Sequence, residues 1–490
     1  MSQTILILDV GTSSMRACLF ELNGMKKLTV VRRYQPIYYH DGRIEQDALA
    51  LKNVLLSILN EIASQAKVKK YSIDAIAMTA QRSSIAPVDE KGEALMDFIM
   101  WEDKRAQVLC DKLESAQSII LKRSGSRLNA VFSGSKMAWL HEYQKDLYDK
   151  AYKLVNIPEY LLHMMTGNFY TDTTYGSRSN LMNIHSCAWD KDLLAIFGID
   201  EVKLCTLLPP GSIVGYTTKA IATATGLAKG IPVISAGGDQ QCAMIGQGAY
   251  EKGHISIVTG TGAFLSAISD EVPSDLNGEV ICNVSSLPNR YILEANVLTC
   301  CSAFDWFVEN FYGNPIDYHM IEKDLKSMYG KTSSCIVLPY FQGRGTPDWN
   351  AYAKASFHNI TLSTSRAEML QALLNGIFME VKNNIDTFRQ YTPICEGYIS
   401  GGLTKTDIIN QMQADMYGVV LYRLADSEST SLGAFLVALL ALHVYEDPVR
   451  IYSEILESME IKTFVPNPKQ YEINCRKQKQ MQELYAFETR

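Results

Sequence analysis

The chain has 490 residues, which at ~100–200 residues per domain means two large domains or three smaller ones. Hydrophobic residues make up 47% and charged residues 20%, and 46 Lys+Arg against 53 Asp+Glu give a formal net charge of -7, an ordinary globular balance without the basic excess that nonspecific nucleic-acid binding needs. Eleven cysteines without framework spacing, and eight histidines without HxxxH clusters, argue against a disulfide scaffold or a zinc site and for a reducing, cytoplasmic setting.

The opening MSQTILILDVGTSS lacks a basic n-region and a small-residue cleavage site, so it reads as a buried strand and not as a signal peptide. Residues 5–8 form that strand, Asp9-Val10-Gly11-Thr12-Ser13-Ser14 turns the chain, and 15–20 run back. Asn23-Gly24 is a second tight turn, before a third strand over 28–34. Residues 47–66 carry Leu49, Val54, Leu55, Ile58, Leu59 and Ile62 at helical spacing, with Asp47 as cap. The lysines at 67, 69 and 70 read as that helix's solvated end. A strand over 73–78 runs into Gln81-Arg82, and another over 232–235 ends in Gly237-Gly238-Asp239-Gln240-Gln241, with a helix over 241–248.

The second half repeats the opening. Residues 254–258 and 263–268 read as strands around Thr259-Gly260-Thr261-Gly262. A dinucleotide-binding unit would place a helix directly after its Gly-rich turn, and neither copy does. Ser365-Arg366-Ala367-Glu368 is a capping box for a long apolar-striped helix. Residues 397–399, Gly401-Gly402 and a helix over 404–417 follow, with Gly418 as its left-handed stop. The apolar stretch 432–444 is too short to span a membrane, which takes ~20 apolar residues, and reads as a core helix.

Two turns rich in Gly, Thr and Ser present N–H and hydroxyl donors suited to phosphate oxygens. One opens each half, so they can grip one phosphate chain from both sides. Asp9, at a strand end, can hold Mg²⁺ directly or through water, and Arg16 can place a fixed positive charge on a phosphoryl group. Asp239 follows two glycines at the end of an apolar strand, where open α/β sheets bind ligands; it can act as a general base or simply cap the next helix.

The ordered set Asp9-Val10-Gly11-Thr12-Ser13, Gln81-Arg82, Trp101 to Arg105, Phe132-Ser133-Gly134-Ser135-Lys136, Thr171-Asp172, Gly238-Asp239-Gln240-Gln241, Thr259-Gly260-Thr261-Gly262, Ser400-Gly401-Gly402 and Gly433-Ala434-Phe435 resembles the FGGY carbohydrate kinases. The resemblance implies an α/β fold of two actin/hexokinase-like (ribonuclease H-like) domains, each on a mixed five-stranded sheet, closing on ATP·Mg²⁺ and a polyol or ketose. The division falls at 1–245 and 246–490. By resemblance, Asp239 is the general base and Asp9 the metal-associated carboxylate. Thr12, Ser13, Arg16, Gly260 and Thr261 hold phosphates, and Gly402 and Thr406 lie near the adenosine. Gln81, Arg82, Trp101, Asp103, Gln240 and Phe264 form the acceptor side, whose pattern is most similar to glycerol kinases.

Several positions depart from that pattern. Ser83 stands where glycerol kinases carry Glu, and Val131 where they carry an aromatic, so a roomier site, for a ketopentose or deoxyketohexose such as xylulose or fuculose, competes with glycerol. Cys301 replaces a glycine near the nucleotide, which keeps a catalytically weak sugar- or nucleotide-binding sensor as the rival of another class. Ser400 replaces an Asp, and Gly343-Arg344-Gly345-Thr346-Pro347 varies a common Gly-Glu-Arg-Thr-Pro. The expected partner is a small polyol or sugar, with no nucleic acid and no membrane, and the family's dimers and tetramers make a homodimer compatible with the resemblance.

Overall fold

The computed structural model describes residues 2–424, 428–444, 450, 454–455 and 459–489. Two large mixed sheets carry the duplicated plan. The first runs Ile213–Tyr216, Pro232–Gly238, Tyr71–Ala80, Ser2–Val10, Ser14–Glu21, Lys26–Arg33. The second runs Ile281–Val284, Tyr291–Val297, Ala263–Ser269, Gly253–Thr259, Ile394–Gly401, Val420–Leu424, Ile461–Phe464. In each, three antiparallel strands are continued by two parallel ones, and the first strand of each half lies in the middle. The expected five strands are thus the core of each sheet. The sheets themselves have six and seven strands, because short antiparallel strands cover the core edges. Covering an edge satisfies backbone groups that would otherwise recruit another chain.

Local chemistry explains the helices. Asp47 accepts the Ala50 N–H at 2.9 Å and starts Ala48–Val68, which buries Leu51, Leu55, Ile58, Leu59 and Ile62 on the first sheet. Leu49, expected on that stripe, faces solvent, and the lysine run sits at the helix end. Ser365 and Glu368 form the expected capping box on Arg366–Phe388, and Gly418 ends Asp407–Tyr417 with φ +68°. Among the described residues, no helix is long and apolar enough to cross a membrane. The apolar stretch near 432 forms the buried helix Ser429–Ala441.

That helix joins the two halves. It packs on Asp239–Gly246 so closely that a Cβ on Gly433 would lie 1.8 Å from the Cys242 carbonyl oxygen, and one on Gly246 would lie 1.8 Å from that of Ser429. Only glycines permit that approach. The crossing ties the element that begins with Asp239 to the chain's second half.

Candidate active site

The strand end that carries Asp239 is fixed from behind. The Gly238 N–H donates to the Thr174 hydroxyl at 2.9 Å, the Tyr175 hydroxyl donates to the Gly237 carbonyl at 2.9 Å, and Ser235 donates to the buried Asp172 carboxylate. Gly237 itself needs φ +100°, and a Cβ there would lie 2.1 Å from the Ser286 hydroxyl. These contacts give the Thr171-Asp172 motif its structural purpose. Asp239 then heads its helix with 26% of its side-chain surface open to a central cavity. Its carboxylate accepts the Gln240 N–H at 2.8 Å and lies 3.5 Å from Arg82 Nε. Burial raises its pKa, against the pull of Arg82.

The first turn lies at the end of strand Ser2–Val10. Gly11 donates to the Ser14 carbonyl at 2.9 Å, and its own carbonyl accepts from Tyr34 at 2.6 Å and from Gln81 at 3.2 Å. Trp101 Nε1 donates to the Thr12 hydroxyl at 3.2 Å. Gln81 and Trp101 therefore brace this turn as well as facing the cavity. Asp9 and Arg16 are cross-strand partners, 3.7 Å apart, and Arg16 also lies 3.7 Å from Glu428. Burial, then the Asp239 carboxylate, push the Asp9 pKa up to about 7, with Arg16 opposing. The influence of Asp239 on Asp9 places the two carboxylates in one electrostatic neighbourhood, which a divalent cation would relieve.

The second turn has a firmer base. Gly260 donates to the Gly262 carbonyl at 2.8 Å, and the Cys300 and Cys301 N–H groups donate to the carbonyls of Thr261 and Gly260 at 2.7 and 2.9 Å. Helix Cys301–Phe311 thus takes up the turn's acceptors. Among the described residues, the N–H groups of Thr12, Ser13 and Thr261 donate to no protein acceptor. A Cβ on Gly260 would have no protein atom nearer than 3.8 Å. Unspent donors at two bare turns fit phosphate oxygens.

Gly401-Gly402 has a packing reason as well. Gly401 has φ +99°, and a Cβ there would lie 2.0 Å from the Thr259 carbonyl oxygen; one on Gly402 would lie 2.6 Å from Cys301 Sγ. The pair therefore lies against the root of the second turn. Thr406 precedes helix Asp407–Tyr417 with its hydroxyl oxygen buried and unpartnered among the described residues.

One cavity of about 930 Å³ is lined by Thr12 from the first half, by Thr261 and Phe264 from the second, and by Asp239, Gln240 and Arg82. Phe264 exposes 43% of its surface there. Ser83 and Val131 lie in the wall, and Lys136 holds the Ala130 and Val131 carbonyls at 2.7 Å each. Among the expected acceptor-side residues Asp103 is the exception, and of the expected nucleotide-side residues Thr12 and Thr261 line the cavity while Asp9, Ser13, Arg16, Gly260, Gly402 and Thr406 do not. Asp103 is buried away from the cavity, accepting from the Ile44 N–H at 2.6 Å and from Arg105 Nη2 at 2.8 Å, so its carboxylate is spent on structure.

Sequence reasoning missed residues in the wall and, with Glu294, behind it. Arg178 and Glu294 form a buried network with Arg82: Arg82 Nη1 lies 2.6 Å from Glu294 Oε1, and Arg178 Nη1 lies 3.1 Å from Glu294 Oε2. Glu102 and Gln117 also line the cavity, each with a buried polar atom lacking a protein partner among the described residues. Asn296 lines it too, held by Thr346 of the Gly343–Pro347 motif at 2.8 Å. Nothing in local spacing marks these residues.

Comparison with known proteins adds the ancestry. A family model described as "FGGY family of carbohydrate kinases, N-terminal domain" matches residues 4–246, and its C-terminal counterpart matches 255–442. A glycerol kinase of Limosilactobacillus reuteri (strain DSM 20016) is 28% identical over 461 residues, covering 91% of each chain. Among solved structures, gluconate kinase from Lactobacillus acidophilus matches with a TM-score of 0.91 at 22% identity, over 99% of this chain and 98% of that one. Plasmodium falciparum glycerol kinase with ADP matches with a TM-score of 0.91 at 24% identity, over 99% and 98% of the two chains.

Proposed function

Because the chain belongs to the FGGY family of carbohydrate kinases, enzymes that pass a phosphoryl group to an alcohol acceptor, we propose that it transfers the γ-phosphoryl group of ATP to a hydroxyl of a small polyol or ketose, with Asp239 as general base. The observation that carries this reading is the shared cavity: Thr12, Thr261 and Asp239, from distant parts of the chain, line one chamber. In it Asp239 would take the proton of the attacking hydroxyl, and burial, by raising its pKa, makes the carboxylate a stronger base. Arg82, Gln240, Trp101 and Phe264 would orient the acceptor, the guanidinium by forked hydrogen bonds and the rings by covering its carbon skeleton.

Thr12, Ser13, Gly260 and Thr261 would bind the phosphate chain through their N–H and hydroxyl groups, with Arg16 supplying positive charge. Gly402 and Thr406 would lie beside the adenosine. Asp9 would hold Mg²⁺, directly or through water, and a bound Mg²⁺ offsets phosphate charge. We read the domains as dividing at 245/246, with closure over the acceptor keeping water out. A reducing cytoplasm suits the cysteine usage.

Which acceptor follows from the wall. Curated relatives are named glycerol kinase, which supports glycerol. The chamber's ≈ 930 Å³ lies near the upper end of the ~300–1,000 Å³ typical of ligand pockets, and Ser83 and Val131 leave it open where larger side chains would intrude. A coupled ADP-release screen over glycerol, erythritol, xylulose, ribulose, fuculose, rhamnulose and gluconate separates these. Turnover with a ketose or longer polyol, at higher kcat/KM than with glycerol, is the expected result. No acceptor-dependent ADP release across the panel would count against the kinase reading of this site.

A further inference from the structure

Arg82 comes from the first half of the chain, just past strand Tyr71–Ala80, and Arg178 from the same half. Glu294 comes from the second sheet, on strand Tyr291–Val297. Its carboxylate is the acid that both arginines meet: one oxygen 2.6 Å from Arg82 Nη1, the other 3.1 Å from Arg178 Nη1. Arg82 in turn lies 3.5 Å from Asp239 and donates to Gln241 Oε1 at 3.2 Å, which fixes the guanidinium on three sides. Arg178 is stacked over the Phe132 ring, 4.5 Å from its centre. All four charged side chains are largely buried, and two cations against two anions leave the cluster neutral only while Glu294 is present.

From this arrangement we infer that Glu294 is a positioning residue: it reaches from the second half of the chain to hold Arg82 beside Asp239, and so makes the alignment of the acceptor site depend on the two halves being closed on each other. Among the described residues its carboxylate bonds to the two arginines and to neither turn that faces the phosphate chain, so its effect belongs to the acceptor and not to the nucleotide. Without its charge the ionic tie from the second half to Arg82 and Arg178 is lost, which loosens the closure of the halves, and the two arginines, both of the first half, are left as like charges in a low-dielectric setting, which lets Arg82 swing. A misplacement of about 1 Å at such a site costs about 100-fold in rate.

The inference rests on the proposed kinase reading, and the test separates the two. Glu294→Gln keeps the shape and one acceptor oxygen, removes the charge, and sets an NH2 donor where one of the two arginines had an acceptor. With the acceptor that wild type turns over fastest among glycerol, xylulose and fuculose, the variant is expected to lose about 100-fold in kcat/KM for the acceptor, with the KM for ATP unchanged. Glu294→Asp, which keeps the charge one methylene short, should recover part of that loss. Small-angle X-ray scattering of the unliganded proteins supplies a readout that needs no turnover: Glu294→Gln should show a larger radius of gyration than wild type. Equal losses toward ATP and acceptor, or a folded variant with wild-type scattering and wild-type acceptor kinetics, would overturn the role of Glu294. Inactivity of wild type on every acceptor would instead count against the kinase reading, with the scattering comparison still deciding on Glu294.

Discussion

Asp239→Asn should lower kcat by about a hundred- to ten-thousand-fold, the usual worth of a positioned general base, while ATP binding stays near wild type. The asparagine fills the same space and still accepts the Gln240 N–H, so the helix start and the cavity wall persist. What it loses is basicity. Burial raises the Asp239 pKa, so wild-type activity should fall on the acid side as the carboxylate takes up a proton, and the residual activity of Asp239→Asn should lack that acid limb. Steady-state kinetics against pH for both proteins, with ATP affinity measured separately, checks this. Near-normal turnover by the variant would remove Asp239 from the chemistry.

Arg82→Leu should be the most costly change to the acceptor side. The side chain is only 10% exposed and pairs with Glu294. Removing one member of a buried ion pair typically costs about 3–5 kcal/mol, and the lower end is expected here because Arg178 still faces Glu294. Urea unfolding should show that loss without a change in the slope of the transition. Acceptor KM should rise together with it. Arg82→Lys keeps the charge and loses the fork that meets Glu294 and Gln241 at once, so it should recover stability more fully than catalysis. A Leu variant as stable as wild type would mean that the network contributes little to the fold.

These residues also mark what could be read from the chain before its structure. The two hairpin turns, the strand end at Asp239, the Asp47 and Ser365 caps and the Gly418 stop rest on local chemistry, and local chemistry is legible in order along the sequence. Helix bounds shifted by two or three residues where that chemistry is shared. The helix read as 241–248 begins at Asp239, and the one read from 404 is preceded by a short tight turn of helix over Gly402–Thr404. Glu294 was not legible, because its meaning lies in a partner 212 positions away. Asp103 misled for the opposite reason: it sits inside a matching motif, yet Arg105, two positions on, takes its carboxylate. Edge strands escaped notice because two to four residues carry too little periodic signal.

The account depends most on the two turns meeting one phosphate chain. Calorimetric titration of a non-hydrolysable ATP analogue into wild type, Thr12→Val, Thr261→Val and the double variant tests that contact directly. Each single change is expected to weaken binding, and the double change should cost less than the two single losses combined, as coupled contacts to one ligand do. If either single variant bound the analogue as wild type does, its turn would not be touching the nucleotide, and the clasp between the two halves would not exist.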